Sequence, residues 1–211
     1  MRPIVVVGGG GFGRETLDVI EAINAAVPTW ELVGVVDDAP AAIQVERLTD
    51  RRIQHLGGLD ALLHAQAPVD YVVGIGSPQV RARVAARLDA AGFAAATLVH
   101  PAASVGSRTE LEEGVVVCGG AQISTNVRLG RHVHVNANAT IGHDARLDGF
   151  VSVNPAAVVS GEVEIGSGTL IGAAAVVLQS LTIGVDAVVG AAACVTRNVP
   201  PGATVKGVPA R

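Results

Sequence analysis

The sequence predicts an α/β N-terminal domain, a half-Rossmann βαβαβ unit over residues 1–97, followed by a parallel β-helix of about five coils over residues 98–211. Three observations lead there. Branched aliphatic residues recur every six positions through the C-terminal half. The N-terminus reads as strand, glycine turn and helix. Hydrophobic residues make up 49% of the chain but aromatics only 2%, so the core must be assembled from Val, Ile, Leu and Ala in narrow, regular layers.

From the start of the chain, "RPIVVVGGGGFGRETLDVIEAI" is a short buried strand, a glycine turn and an amphipathic helix. "WELVGVVDD" supplies a second strand ending in Asp37 and Asp38. "LGGLDALLHAQ" then reads as helix, "VDYVVGIG" as strand, "SPQVRARVAARLDAAG" as helix, and "FAAATLVH" as the strand leading into the coils. Strands alternating with helices imply a small parallel sheet covered by helices. Gly8, Gly10 and Gly13 satisfy GxGxxG between strand and helix. Backbone amides at such a turn, with the helix N-terminus, suit an anionic phosphate, and an Asp at the end of the second strand can accept from ribose hydroxyls. Taken bare, the motif points to NAD or FAD, or to a packing turn with no ligand. The segment has room for only one half of a doubly wound sheet, so a mononucleotide-linked ligand fits better. The candidate substrate-binding residues are Gly8, Gly10, Gly11, Phe12, Gly13, Asp37, Asp38 and Gly76.

From Val105 to Val195 all sixteen positions at steps of six are Val, Leu or Ile. Four residues after each comes a Thr, Val, Ala or Leu, as in Val115, Ala121, Val127 and Val133, so inward side chains alternate at gaps of four and two. The gap of two is a strand signature. Seven of the sixteen corners open with Gly, which is expected to relieve the unusual backbone angles of tight turns. Three hexads close one triangular coil, the hexapeptide form of a β-solenoid. The register never breaks, so no long loop leaves the prism to cover a substrate. The walls of an acceptor site must then come from a neighbouring subunit or from the N-terminal segment.

A formal net charge of −4 gives no basic footprint for nucleic acid or for an anionic membrane surface. The N-terminus lacks a signal-peptide core and no later run approaches the roughly 18 apolar residues of a membrane span, so a cytoplasmic protein is expected. Cys118 and Cys194 have no ligand-like spacing and are expected to be packing residues.

The stretches "VVGGGGFGRE", "GVVDD", "GIGSPQVRARVAARL", "LVHPAASVG", "IGHDARLDGF", "GEVEIGSGTLIGAAAVV" and "NVPPGATVKGVPAR" cover nearly the whole chain. Together they resemble the sialic-acid O-acetyltransferase-like family of nucleotide-sugar N-acetyltransferases, which make bacterial 4-acetamido sugars, within the hexapeptide acyltransferase superfamily. The resemblance implies a left-handed β-helix, an acetyl-CoA co-substrate, no metal, and a homotrimer with sites between prisms. It also implies a nucleotide-sugar (UDP-, dTDP- or GDP-linked) held by the N-terminal domain. It casts His143 as general base, Asp144 as its support, and Asn136 as a neighbour of the acceptor amine. Gly161, Ala173 and Ala191 are cast as contacts of the thioester and the CoA arm, with Ser152 and Lys206 as further acetyl-CoA residues. The family often has a second His where Ser152 stands.

The register supports this assignment independently. His143 and Gly161 lie one full coil of three hexads apart, as do Ala173 and Ala191 on a different corner column. An amino sugar is mostly ammonium near neutral pH, and an imidazole, whose ordinary titration lies near pH 6.5, is suited to remove its proton. A carboxylate beside it fixes the tautomer. Two other readings compete. O-acetylation of a sugar hydroxyl would use the same base. A zinc site of the γ-class carbonic anhydrase kind would use His132, His134 and His143, but would leave the glycine turn unexplained.

Overall fold

The computed structural model describes residues 1–65 and 68–211. The first unit contains β1 (Arg2–Val7), α1 (Gly11–Ala26), β2 (Trp30–Val36), α2 (Ala42–Asp50), α3 (Leu59–Ala65), β3 (Asp70–Val73) and α4 (Pro78–Ala90). Its sheet is parallel, in the order β2-β1-β3. β1 is central, and its Ile4–Val7 run is buried on both faces, which explains the unbroken apolar stretch. The structure adds α2, which buries only Leu48. Its start is marked instead by Gln44, whose Oε1 accepts from the Ala41 N–H at 2.9 Å, the reciprocal half of a capping box. The helix expected over 56–66 begins at Leu59, after Gly57 and Gly58, and Gln66 lies outside the described residues.

The second unit is a parallel solenoid of short strands whose three faces hold seven, six and five strands. This makes six turns. The solenoid runs one strand further at each end than the strict repeat shows. Val99 pairs with Val117, three full hexads on, whereas Val189 pairs with Val205, which falls short of three hexads, so a fixed step of six does not reach the last strand. The inward pairs of the middle coils, such as Ala139 with Ile141 and Ala157 with Val159, are fully buried in one continuous core. Each fully buried aliphatic side chain contributes roughly 1.5–3 kcal/mol.

The corner glycines have a different cause from the one expected. The left-handed backbone angles fall two residues later, at places held mostly by non-glycine residues such as Asn126, Asn138, Asp144 and Ala174. The glycines that open corners are needed for closeness between coils. A Cβ on Gly142 would lie 2.4 Å from the Gly161 nitrogen, and one on Gly172 would lie 2.5 Å from the Ala191 nitrogen.

The three faces differ outside. The face of five strands presents Glu110, Arg128, Arg146 and Glu164 to solvent. The face of six presents half-buried Val158, Val176 and Cys194 in its later turns. The face of seven presents Leu98, Val116, His134 and Ser152, all buried because the N-terminal unit packs on them. Cys118 is buried in that layer as well.

Candidate active site

Three groups of expected site residues emerge, carried by different parts of the fold.

The first lines a cleft of about 460 Å³ at the C-terminal ends of β1, β2 and β3, bounded by Gly8, Gly10, Gly11, Phe12, Asp37, Asp38 and Gly76. Sequence reasoning missed Gln44, Leu59, Val80 and Val84, which also line it. α1 begins at Gly11, so its free amides face this space, the arrangement that favours an anion. Gly13 is required for packing instead. A Cβ there would lie 1.8 Å from the Gly8 carbonyl oxygen, so its absence lets helix and strand close up. The two aspartates are more committed to the backbone than the sequence implied. Asp37 accepts from the Gly9 N–H through Oδ2 at 2.8 Å and from the Ala39 N–H through Oδ1 at 3.0 Å. Asp38 Oδ1 accepts from the Leu59 N–H at 2.6 Å. They shape the cleft's rim, and a ribose would share oxygens already in use.

The second group is His143, Asp144 and Gly161, at the corner between the six-strand and five-strand faces. His143 is exposed, and its Nδ1 lies 2.7 Å from Asp144 Oδ2. Asp144 also accepts from the Asn126 side-chain amide. That amide first, and the imidazole second, hold the Asp144 carboxyl below its ordinary range. Gly161 lies directly against the imidazole, because a Cβ there would be 2.6 Å from His143 Nε2. The ring therefore rests on a bare backbone, with Nδ1 engaged.

The third group, Ala173, Ala191 and Lys206, shares the corner between the seven-strand and six-strand faces. Gly172 touches Ala191, Gly190 touches Lys206, and the Ala192 N–H bonds the Ala173 carbonyl at 2.8 Å. Asn136 stands at this corner too, one place before the Ala173–Ala191 column, buried, donating to the Val153 carbonyl at 2.9 Å.

One backbone feature links the corners. Coils are stitched by the N–H one place later, as in Ser180 to Gly161 and Glu162 to His143. Among the described residues, the N–H groups of Gly161, Ala173 and Ala191 meet no acceptor. Pro155, which has none to offer, occupies the equivalent place on the Ala173 column. At the third corner the equivalent Arg131 N–H donates to the Glu112 carboxylate at 3.0 Å. These amides thus point outward, ready for an oxygen.

Ser152 is elsewhere. Its hydroxyl is buried, accepts from Arg81 at 2.9 Å and donates to the Gly76 carbonyl at 3.2 Å. The geometry makes it part of the joint between the two units rather than of a surface column. Arg81, fully buried, ties that joint by donating to the carbonyls of Ile75, His132 and Phe150. His132 stacks between Tyr71 and Phe150, and His134 stacks on Phe12 at 4.4 Å. Both are sealed within the joint, so they do not converge with His143 on a metal in one chain, and among the described residues no cluster of His, Cys, Asp or Glu is placed to hold an ion.

A parallel hexapeptide solenoid with a nucleotide-type cleft packed on one face and an imidazole on an outer corner defines an acyltransferase of the hexapeptide superfamily. Residues 3–88 match the PglD N-terminal domain family. No curated protein sequence matches the chain. PerB from Caulobacter crescentus, solved in complex with CoA and GDP-perosamine, is 30% identical with a TM-score of 0.86, over 100% of this chain and 97% of that one. The acetyltransferase domain of PglB from Neisseria gonorrhoeae FA1090, in complex with acetyl coenzyme A, is 30% identical with a TM-score of 0.85, over 100% and 98%. WeeI from Acinetobacter baumannii AYE is 24% identical and shares the fold, with a TM-score of 0.85 over 100% and 99%. The chain belongs to the nucleotide-sugar N-acetyltransferases of the hexapeptide acyltransferase superfamily. No helix among the described residues is long and apolar enough to cross a membrane.

Proposed function

We propose that the protein transfers the acetyl group of acetyl-CoA to the 4-amino group of a nucleotide-linked amino sugar, with His143 as general base. The observation that carries this is the setting of the imidazole: Nδ1 is held by Asp144 and the ring lies on Gly161. With Nδ1–H donated to the carboxylate, Nε2 carries the lone pair that accepts a proton.

Acetyl-CoA supplies an activated acyl group as a thioester. The chain's residues do the rest. The glycine turn and the N-terminus of α1 receive the diphosphate of the nucleotide-sugar, and Asn136 stands beside the amine. The amine nitrogen bonds the acetyl carbon, its proton passes to Nε2, and the carbon–sulfur bond breaks, releasing CoA after the proton is returned to sulfur. An outward N–H such as that of Gly161 faces the carbonyl oxygen as it gains charge, the kind of stabilisation that lowers such barriers by several kcal/mol.

The two functional corners flank the six-strand face, whose half-buried Val158 and Val176 offer apolar surface to a second copy of the chain. A homotrimer built on that face would bring the His143 corner of one subunit to the Ala173–Ala191 column and the cleft of another, which supports a shared site.

The test is a panel of UDP-, dTDP- and GDP-linked 4-amino sugars with acetyl-CoA, read as release of free thiol. Turnover with at least one amine is expected. Turnover only with a hydroxyl acceptor would replace N-acetylation by O-acetylation.

A further inference from the structure

The place of left-handed backbone angle on each turn of the His143 corner forms a polar ladder of its own. Arg108, Asn126, Asp144, Glu162 and Ser180 stand one above another, each a full coil after the last and each with positive φ. Side chains pair across it: Asn126 donates to Asp144 Oδ1, and the Ser180 hydroxyl donates to Glu162 at 2.9 Å. The Asp144 N–H is fixed in turn by the Thr125 carbonyl at 3.1 Å. Asp144 therefore has one oxygen on His143 and the other on Asn126.

We infer that Asn126, one coil before the catalytic pair, is a positioning residue for the acetyl transfer: it clamps the free oxygen of Asp144 so that the other stays on His143 Nδ1. A carboxylate next to an imidazole can rotate about its own bond, and an exposed one has water to turn toward. Two anchors on different oxygens remove that freedom, as outer partners do for ligating or catalytic histidines generally. The amide is suited to this because it donates without adding charge. An Arg there would neutralise Asp144 and a second acid would repel it. Asn also tolerates the left-handed backbone that the corner imposes.

This inference rests on His143 being the base. Asn126→Gly keeps the backbone conformation and removes the donor. The expected result is a fall in kcat of about 10-fold with KM for acetyl-CoA and for the amino sugar unchanged and the melting temperature close to the parent's. Asn126→Asp also keeps the backbone but sets a second carboxylate beside the pair. Together with Glu162 on the next coil, it outweighs Arg108 and favours the imidazolium. The acid limb of kcat/KM is expected to move to higher pH. Parental kcat in Asn126→Gly, or an unmoved acid limb in Asn126→Asp, overturns the assignment while leaving His143 in place. Full activity in His143→Ala would overturn the base itself, and this inference with it.

Discussion

His132 and His134 precede His143 by less than two hexads, yet their surroundings are opposite. The first two are 0% and 1% exposed, stacked on aromatic rings, with His132 Nδ1 and both nitrogens of His134 meeting no partner among the described residues. The side chain of His143 is 59% exposed and ion-paired in geometry with Asp144. Burial pushes His132 down to about 4, and His134 lower than the usual imidazole range as well. The sealed pair are thus neutral spacers, used for shape, whereas the His143 ring stands in solvent. What separates them is whether the position faces the N-terminal unit or open solvent.

The sharpest way to break this contrast is His143→Ala, for which turnover should fall by roughly 100-fold or more, the usual scale for loss of a general base, with an unchanged melting curve. Parental turnover would make the exposed imidazole decorative. A finer probe is Gly161→Ala. It retains the outward N–H but drives a methyl into the ring, so kcat should drop by about 10-fold or more, on the scale by which misplacing a reacting group by an ångström is felt. Unaltered kcat would show that the ring's seat is immaterial. The smallest effect belongs to the sealed pair. They are neutral when folded and titrate near pH 6.5 when unfolded, so the unfolded chain binds more protons as the pH drops below that value. Stability should be full above about pH 6.5 and decline as pH falls toward 4, by up to about 1.4 kcal/mol per pH unit for each histidine. His134→Phe, which keeps the stack on Phe12, should flatten that slope in thermal melts across this range. A slope as steep as the parent's would place those protons on other groups.

The solenoid is legible in the sequence because its period is carried by single residue types at fixed steps, and the site corner because His143 and Gly161 fall on one column. The reason for the corner glycines is not, since a close approach to the next coil is invisible in a local reading of turn angles. The joint between the units escapes for a related cause. Arg81 meets His132, Phe150 and Ser152 from 51 to 71 residues away, and no spacing rule connects a helix to the wall it will land on. The place of Ser152 in that joint is hidden for the same reason. Asp37 and Asp38 reach the cleft as the end of a strand, which the apolar run before them announces, but their backbone obligations depend on loops whose course the sequence does not reveal. Asn126 does carry a signal: it stands one coil before Asp144, the same step that relates His143 to Gly161.

Pro155 interrupts nothing, although it sits on a column where its neighbours have an amide to spare. Exchanging such a residue with proline leaves every rung of the coil intact and deletes one unpaired donor from that corner. A solenoid can therefore vary the donors it shows at these vertices in single steps, without renegotiating the architecture that holds them.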